Sequence, residues 1–157
     1  MKQIELYTDG ACRNNPGPGG WACILRFGKN EKILRGAFRR TTNNRMELYA
    51  VISGLAALKE SCKVTVFSDS QYIVNGINRW IVTYGGKKWD GTTNGDLWAL
   101  LEKFCKKHAV EAKWVKGHSG HAENESCDRE ANTAIYECEQ KKDMGYETIV
   151  AVGGLHD

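Results

Sequence analysis

The sequence has 157 residues, of which 41% are hydrophobic and 26% are charged, and its formal net charge is +3. This length is enough for one compact domain with its own core and not comfortably enough for two, and the composition is ordinary for a soluble globular protein. The charge permits a polyanionic partner without requiring one. No apolar run approaches the ~18 residues of a membrane-spanning helix. We therefore expect no membrane contact, no signal peptide and a cytoplasmic location.

Three strand patterns come first in the chain. Residues 2–8 alternate in polarity, and the runs 21–27 and 32–38 are joined by a turn at residues 28–30. Because short connections join successive strands that pair side by side, these three runs predict an antiparallel meander.

The apolar period then changes to that of helices. The sequence predicts a helix over 44–59, a strand over 63–67, a helix over 70–80 that Ser70 can cap, a helix over 96–108, a strand over 110–115 and a helix over 124–138. Strand–helix units after a meander predict an α/β (α+β) fold in which a mixed sheet carries helices on its faces. We expect a single domain over residues 1–146 and a loose tail over 147–157.

The six cysteines are scattered and predict free thiols in a reducing compartment. Zinc is the less favoured alternative, with His118, His121 and Cys127 or Cys105 and His108 as ligands. Neither set contains the paired Cys-x-x-Cys that structural zinc sites commonly use.

Two aspartates follow predicted strands. Asp9 comes after the first strand and Asp69 after the fourth. Since the carboxyl ends of parallel strands meet at one edge of a sheet, where open α/β sheets bind ligands, we expect the two side chains to lie together. Two ordinary roles remain open at this point: a turn at Asp9 and a helix cap at Asp69.

Two further acids lie on apolar helix faces. Glu47 shares a face with Val51, and Asp128 shares one with Ala131. Buried acids without cationic neighbours repel each other and raise their own pKa values, a problem that a divalent cation removes. Oxygen ligands favour Mg²⁺ or Mn²⁺, and two such ions suit phosphodiester hydrolysis. His118, in a glycine-rich loop, is a candidate proton shuttle, although a surface histidine without a task remains open.

Several blocks of this sequence together resemble bacterial type 1 ribonuclease H. They are "YTDGACRNNPGPGGW", "TTNNRMEL", "FSDSQYIVNGI", "DLW", "WVKGHSGHAENESCDREA" and "GY" near the end, and the resemblance covers residues 3 to about 147. It implies a ribonuclease H-like fold, a five-stranded mixed sheet flanked by helices, in a monomer. It also implies a metal-dependent endonuclease that hydrolyses the RNA strand of RNA–DNA hybrids and leaves 5′-phosphate and 3′-hydroxyl ends.

The resemblance also implies roles for single residues. The metal ligands would be Asp9, Glu47, Asp69 and Asp128, holding two Mg²⁺ ions (Mn²⁺ is possible) when substrate is bound, and His118 would assist water deprotonation or product release. The residues that would bind the hybrid are Asn15, Asn43, Asn44 and Gln71 in the minor groove, and Arg40, Thr42 and Asn94 at a phosphate of the DNA strand. Asn43 or Asn44 is also expected to cap its helix.

One segment departs from the family pattern. Many relatives carry a longer, lysine-rich handle, whereas residues 82–95 here are glycine-rich and contain only Lys87 and Lys88, which we expect to contact the hybrid. Two other functions are weighed against the nuclease: a non-catalytic hybrid-binding module, and a transposase-like or Holliday-junction nuclease on the same fold. The first is disfavoured because all four acids are present, and the second because the groove-reading amides are present.

Overall fold

The computed structural model describes residues 1–84, 89–117 and 121–151, and it contains one mixed six-stranded sheet. The strands are β1 (Lys2–Cys12), β2 (Gly17–Phe27), β3 (Asn30–Thr41), β4 (Cys62–Ser68), β5 (Ala109–Trp114) and β6 (Gln140–Lys141), and their order across the sheet is β5-β4-β1-β2-β3-β6. The first three strands form the predicted antiparallel meander, and β4, β5 and β6 add to it in parallel.

The helical segments are α1 (Asn43–Ala56), α2 (Gln71–Asn75), a π-helical turn (Gly76–Trp80), α3 (Ile81–Tyr84), α4 (Gly95–Lys107), α5 (Ala122–Glu137) and α6 (Met144–Ala151). All four predicted helices are present close to their predicted positions, whereas α3 and α6 were not predicted. Ser70 caps α2 as predicted, because its hydroxyl oxygen accepts a hydrogen bond from the Ile73 amide at 3.3 Å. In the part of the chain that the structure describes, no helix is long and apolar enough to cross a membrane.

The helices cover both faces of the sheet. The largest apolar cluster joins Leu6 and Val66 of the sheet to Leu48 of α1, Ile73 of α2 and Trp98 of α4. A smaller cluster joins Ala11 and Ala22 on the opposite face to Ala131 and Ile135 of α5. The predicted mixed sheet flanked by helices is confirmed, and the spacing of apolar residues explains why each helix packs by one side.

The carboxyl-terminal segment differs from the prediction. The sequence predicts five strands and a loose tail over 147–157, but β6 pairs with β3 at Ala37 and Phe38, and α6 continues to Ala151. The side chain of Asp143 is completely buried and accepts a hydrogen bond from the Tyr146 amide at the start of α6. A two-residue strand and a short helix show too little periodicity to be recognised in sequence. Residues 152–157 lie outside the described part of the chain.

The position of Asp9 also differs from the prediction. β1 continues to Cys12, so Asp9 lies inside the strand opposite Ala22 of β2, and the alternative of an Asp-Gly turn is wrong. The parallel pairing of β1 with β4, however, stops at Tyr7 and Phe67. Asp9 and Asp69 therefore both follow the last paired residues of this parallel ladder, which is the relationship that the sequence predicted.

Candidate active site

Three of the four predicted acids form one cluster. Asp9 of β1, Glu47 of α1 and Asp69, which follows β4, each present a carboxylate oxygen within 4.8 Å of the others. Among the described residues, this is the one group of three acidic, histidine or cysteine side chains that can share a metal ion. Asp128 of α5 lines the same cavity, which has a volume of about 510 Å³ and is called the acidic cavity below.

Glu47 reaches the cluster because α1 lies very close to β1. A side chain at Gly10 would place its Cβ 2.5 Å from the Glu47 amide nitrogen, so only glycine permits this approach. The Gly10 amide in turn donates to Glu47 Oε1, and also to Asp9 Oδ1 at 2.9 Å. Gly10 therefore orients two of the acids at once.

Burial makes the cluster a poor place for uncompensated negative charge. Burial, together with the charges of Asp69 and Asp128, raises the pKa of Asp9 from its ordinary value of 3.8 to about 7. Burial, followed by the charge of Asp9, raises the pKa of Glu47 well above 4.5. Without a cation, Asp9 and Glu47 are therefore expected to share a proton near neutral pH.

The donor set fits a hard divalent cation. All the charged groups of the cluster are carboxylates, and Mg²⁺ and Mn²⁺ prefer oxygen ligands. Glu47 Oε2 is buried and accepts no hydrogen bond from any described residue. A proton shared with Asp9, or a cation, would satisfy this oxygen.

Two asparagines that flank Asp128 on its helix were not predicted from sequence. Asn124, one helical turn before Asp128, donates from Nδ2 to the Phe67 carbonyl at 3.0 Å and so ties α5 to the end of β4. Asn132, one turn after Asp128, donates to Asp128 Oδ1 at 3.3 Å. Their spacing of four residues on either side of Asp128 was the available signal, because such residues share a helix face.

A second cavity collects most of the predicted substrate residues. It has a volume of about 330 Å³, is called the amide cavity below, and is lined by Asn15, Thr42, Asn43, Asn44, Tyr72, Thr93 and Asn94. Asn43 also lines the acidic cavity, so the two cavities are neighbours. Gln71 and Arg40 are exposed and line neither cavity. His118, Lys87 and Lys88 lie outside the described residues.

The capping role predicted for Asn43 or Asn44 is wrong. Thr42 is the cap of α1, since its hydroxyl oxygen accepts from the Arg45 amide at 3.3 Å and its backbone is extended. Asn43 is the first residue of the helix, and its backbone N–H donates a hydrogen bond to Asn15 Oδ1 at 3.0 Å. Asp69 does not cap α2 either, because Ser70 does so.

A buried cation holds the walls of the amide cavity together. The Arg45 guanidinium, which is 1% exposed, pairs with Asp143 Oδ2 and with Asp96 Oδ2, each at 2.8 Å. Its Nη1 also contacts Asn94 Oδ1 at 3.4 Å. The first turns of α1 and α4 and the start of α6 are therefore joined through one side chain.

Several of the described cysteine and histidine side chains make local packing contacts. All six cysteines are free thiols, as predicted. Cys127 Sγ donates to the Tyr7 carbonyl at 3.3 Å, and His108 Nδ1 accepts from the Cys62 amide at 3.1 Å. The His121 ring packs against Phe67 with the ring centres 5.1 Å apart. These contacts are typical of a packed interior and a helix start. His118, a member of one alternative zinc set, lies outside the described residues.

The family and its relatives agree with this geometry. The family model described as RNase H matches residues 1–136. The chain is 53% identical over 142 residues to a ribonuclease H of Hydrogenovibrio crunogenus, covering 87% of this chain and 98% of that protein. It is 48% identical over 153 residues to a ribonuclease HI of Haemophilus ducreyi, covering 94% of this chain and 99% of that protein.

Solved structures give the same result. LC9-RNase H1, described as a type 1 RNase H with the type 2 active-site motif, superposes with a TM-score of 0.78 at 31% identity over 96% of this chain and 82% of that one. LC11-RNase H1 in complex with an RNA/DNA hybrid shares the fold, with a TM-score of 0.62 at 23% identity over 84% of this chain and 96% of that one. The chain therefore belongs to the bacterial type 1 ribonuclease H family and is a hydrolase of the nuclease kind.

Proposed function

We propose that this protein is an endonuclease that hydrolyses the RNA strand of RNA–DNA hybrids and leaves 5′-phosphate and 3′-hydroxyl ends. The observation that carries the proposal is the acidic cavity, in which Asp9, Glu47, Asp69 and Asp128 converge beside the amide cavity. The solved hybrid complex of LC11-RNase H1, a protein of the same fold, supports the choice of substrate.

The four acids are proposed to hold two Mg²⁺ ions, or Mn²⁺ in their place, when substrate is bound. Such ions supply activation of the attacking water and stabilisation of the leaving oxygen. The protein's part is to release the proton shared by Asp9 and Glu47 and to keep Asp128 oriented through Asn132. His118 is proposed to move a proton at the reacting water or the leaving group, as the loop sequence indicates.

The amide cavity is proposed to position the hybrid. Asn15, Asn43 and Asn44 carry neutral amides that suit 2′-hydroxyls and base edges in a minor groove, and Gln71 is proposed to act with them. Thr42 and Asn94, with Arg40 nearby in sequence, are proposed to bind a phosphate of the DNA strand. The start of α1 at this cavity supports anion binding, because helix amino termini attract negative charge.

The protein is further proposed to act as a cytoplasmic monomer. Six free thiols suit a reducing compartment. The acids and the amides come from a single chain, so the proposed site is complete without a second copy.

The proposal is tested by cleavage assays in Mg²⁺ with labelled RNA–DNA hybrid, double-stranded RNA and branched DNA. We expect cleavage of the hybrid alone, near-complete loss in Glu47→Gln and Asp69→Asn, and full activity in the matched control Glu60→Gln. Glu60 is a suitable control because it is exposed and its carboxylate pairs with Lys2 at the surface. Binding without cleavage would indicate a hybrid-binding module, and preferred cleavage of branched DNA would indicate a junction nuclease; either result contradicts the proposal.

A further inference from the structure

Tyr72 occupies a position between the aromatic core and the amide cavity. Its ring packs edge-on against Trp80 and Trp98, with ring centres 5.5 and 5.3 Å apart. Its hydroxyl oxygen accepts two hydrogen bonds, one from Trp98 Nε1 at 2.8 Å and one from Asn94 Nδ2 at 3.1 Å. The side chain is therefore held at both the ring and the oxygen.

The Tyr72 hydroxyl group has a hydrogen that it does not donate to any described residue. A tyrosine hydroxyl has two acceptor sites and one donor hydrogen, and Trp98 and Asn94 occupy both acceptor sites. Its hydrogen is left to donate, yet no described residue accepts a hydrogen bond from it. Because Tyr72 lines the amide cavity, a ligand in that cavity is the natural acceptor.

The neighbouring groups indicate the chemistry of that ligand. The Thr42 hydroxyl oxygen already accepts from the Arg45 amide, so its hydrogen is also left to donate at the same cavity. Sugar hydroxyls and base edges present both donors and acceptors, whereas a phosphodiester presents acceptor oxygens only. Two hydroxyl donors beside the start of α1 therefore match a phosphate better than a sugar or a base.

We propose that Tyr72 donates a hydrogen bond to the backbone phosphate of the DNA strand that occupies the amide cavity. The inference rests on the proposed function, which places the hybrid in that cavity, and it adds a binding residue that the sequence did not indicate. Tyr72 is proposed to act in substrate binding because it lines the amide cavity and does not line the acidic cavity, where the carboxylates lie.

The first test compares Tyr72→Phe with the matched control Tyr136→Phe. Tyr136 is exposed on α5, and its hydroxyl accepts from Arg13 away from the amide cavity. We expect Tyr72→Phe to raise KM about 10-fold, the effect of losing one hydrogen bond to a charged group. The value of kcat should stay within about twofold, because an interaction made equally in ground and transition states affects KM alone.

A modified substrate identifies which phosphate of the DNA strand Tyr72 contacts. Neutral methylphosphonates are placed one at a time along the DNA strand of the hybrid, and KM is measured for both proteins. In the parent, one position should raise KM more than the rest, and at that position Tyr72→Phe should show a much smaller increase. Equal increases in both proteins would overturn the inference.

A further pair of variants separates direct contact from support of Asn94. Asn94 has φ near +60°, a conformation that glycine adopts without strain, so Asn94→Gly removes the side chain while preserving the backbone. If Tyr72 only positions Asn94, Tyr72→Phe will have no effect in the Asn94→Gly background, which would overturn the inference. We expect a further rise in KM in that background.

The remaining outcomes are also decisive. Should Tyr72→Phe fold poorly, as judged by its Tm, 3-fluorotyrosine at position 72 replaces it. This side chain is a stronger hydrogen-bond donor and a weaker acceptor, so KM should stay level or fall, and a rise would overturn the inference.

Cleavage of hybrid by the parent, with Tyr72→Phe indistinguishable from Tyr136→Phe, would refute the role of Tyr72 alone. A parent that does not cleave the hybrid would refute the proposed function itself.

Discussion

Asp9→Asn should stabilise the protein in the absence of divalent cations. The pKa of Asp9 rises from 3.8 to about 7 on folding, so the folded state binds this proton more tightly than the unfolded state does. The contribution of Asp9 to parent stability in chelator should therefore fall as pH rises from about 4 to about 7 and should then level off. Asparagine is neutral at every pH and still accepts the Gly10 hydrogen bond, so it avoids this loss.

The size of the effect follows from the shift in pKa. A rise of about three units, at 1.36 kcal/mol for each unit, sets an upper bound of about 4 kcal/mol on the destabilisation above pH 7. Water in the acidic cavity screens part of this, and we expect a gain of about 2 kcal/mol for Asp9→Asn at pH 8. The gain should be small at pH 4, where the parent carries the proton in the folded state.

Urea unfolding in chelator at pH 4 and pH 8 measures both values. Asp90→Asn is the matched control, because Asp90 is exposed and the change removes the same charge. Adding Mg²⁺ at pH 8 should stabilise the parent and the control far more than Asp9→Asn. A gain that is absent at pH 8, equal at both pH values, or shared by Asp90→Asn would refute the reasoning.

Three further predictions concern substrate handling and proton transfer. His118→Ala should lower kcat about 100-fold with little change in KM, because a positioned general acid or base usually contributes a factor of this size. Calorimetry should show that the variant still binds Mg²⁺, and loss of Mg²⁺ binding would make His118 a metal ligand. Asn44→Ala combined with Gln71→Ala should reduce kcat/KM for hybrid and weaken its preference over double-stranded RNA, and unchanged discrimination would contradict the groove-reading role. Lys87→Ala combined with Lys88→Ala should raise KM and flatten its salt dependence by at most about two units at constant kcat, whereas an unchanged salt slope would show that both lysines are simply solvated.

Local features of this fold were predictable because their causes are local. The spacing of Leu48, Val51 and Leu55 predicts α1 and the side that it buries. Ser70 predicts its helix start, because a hydroxyl directly before a helical pattern can satisfy a free amide. The burial of Glu47 also follows from helix geometry, and it gives the correct direction for its pKa.

Other features depend on residues far apart in the sequence. Arg45 and Asp143 are separated by 98 positions, and neither residue alone indicates that it is buried. Tyr72 likewise accepts from Asn94, which is 22 positions away in a different helix start. Such pairs arise from the way α1, α2, α4 and the carboxyl-terminal segment meet, and no periodicity within one element encodes them.

The pairing of Arg45 with Asp143 sets a limit on how far the chain can be shortened. The family match ends at residue 136, which suggests that everything after it is dispensable. A chain cut there would keep every acid of the acidic cavity but would leave the buried Arg45 guanidinium with Asp96 as its one remaining carboxylate partner among the described residues, and the Thr41 hydroxyl without the Asp143 acceptor. Breaking a buried ion pair by removing one partner costs about 3–5 kcal/mol, a large share of a small domain's stability. The smallest stable unit in this chain therefore extends beyond the proposed catalytic residues, at least to Asp143.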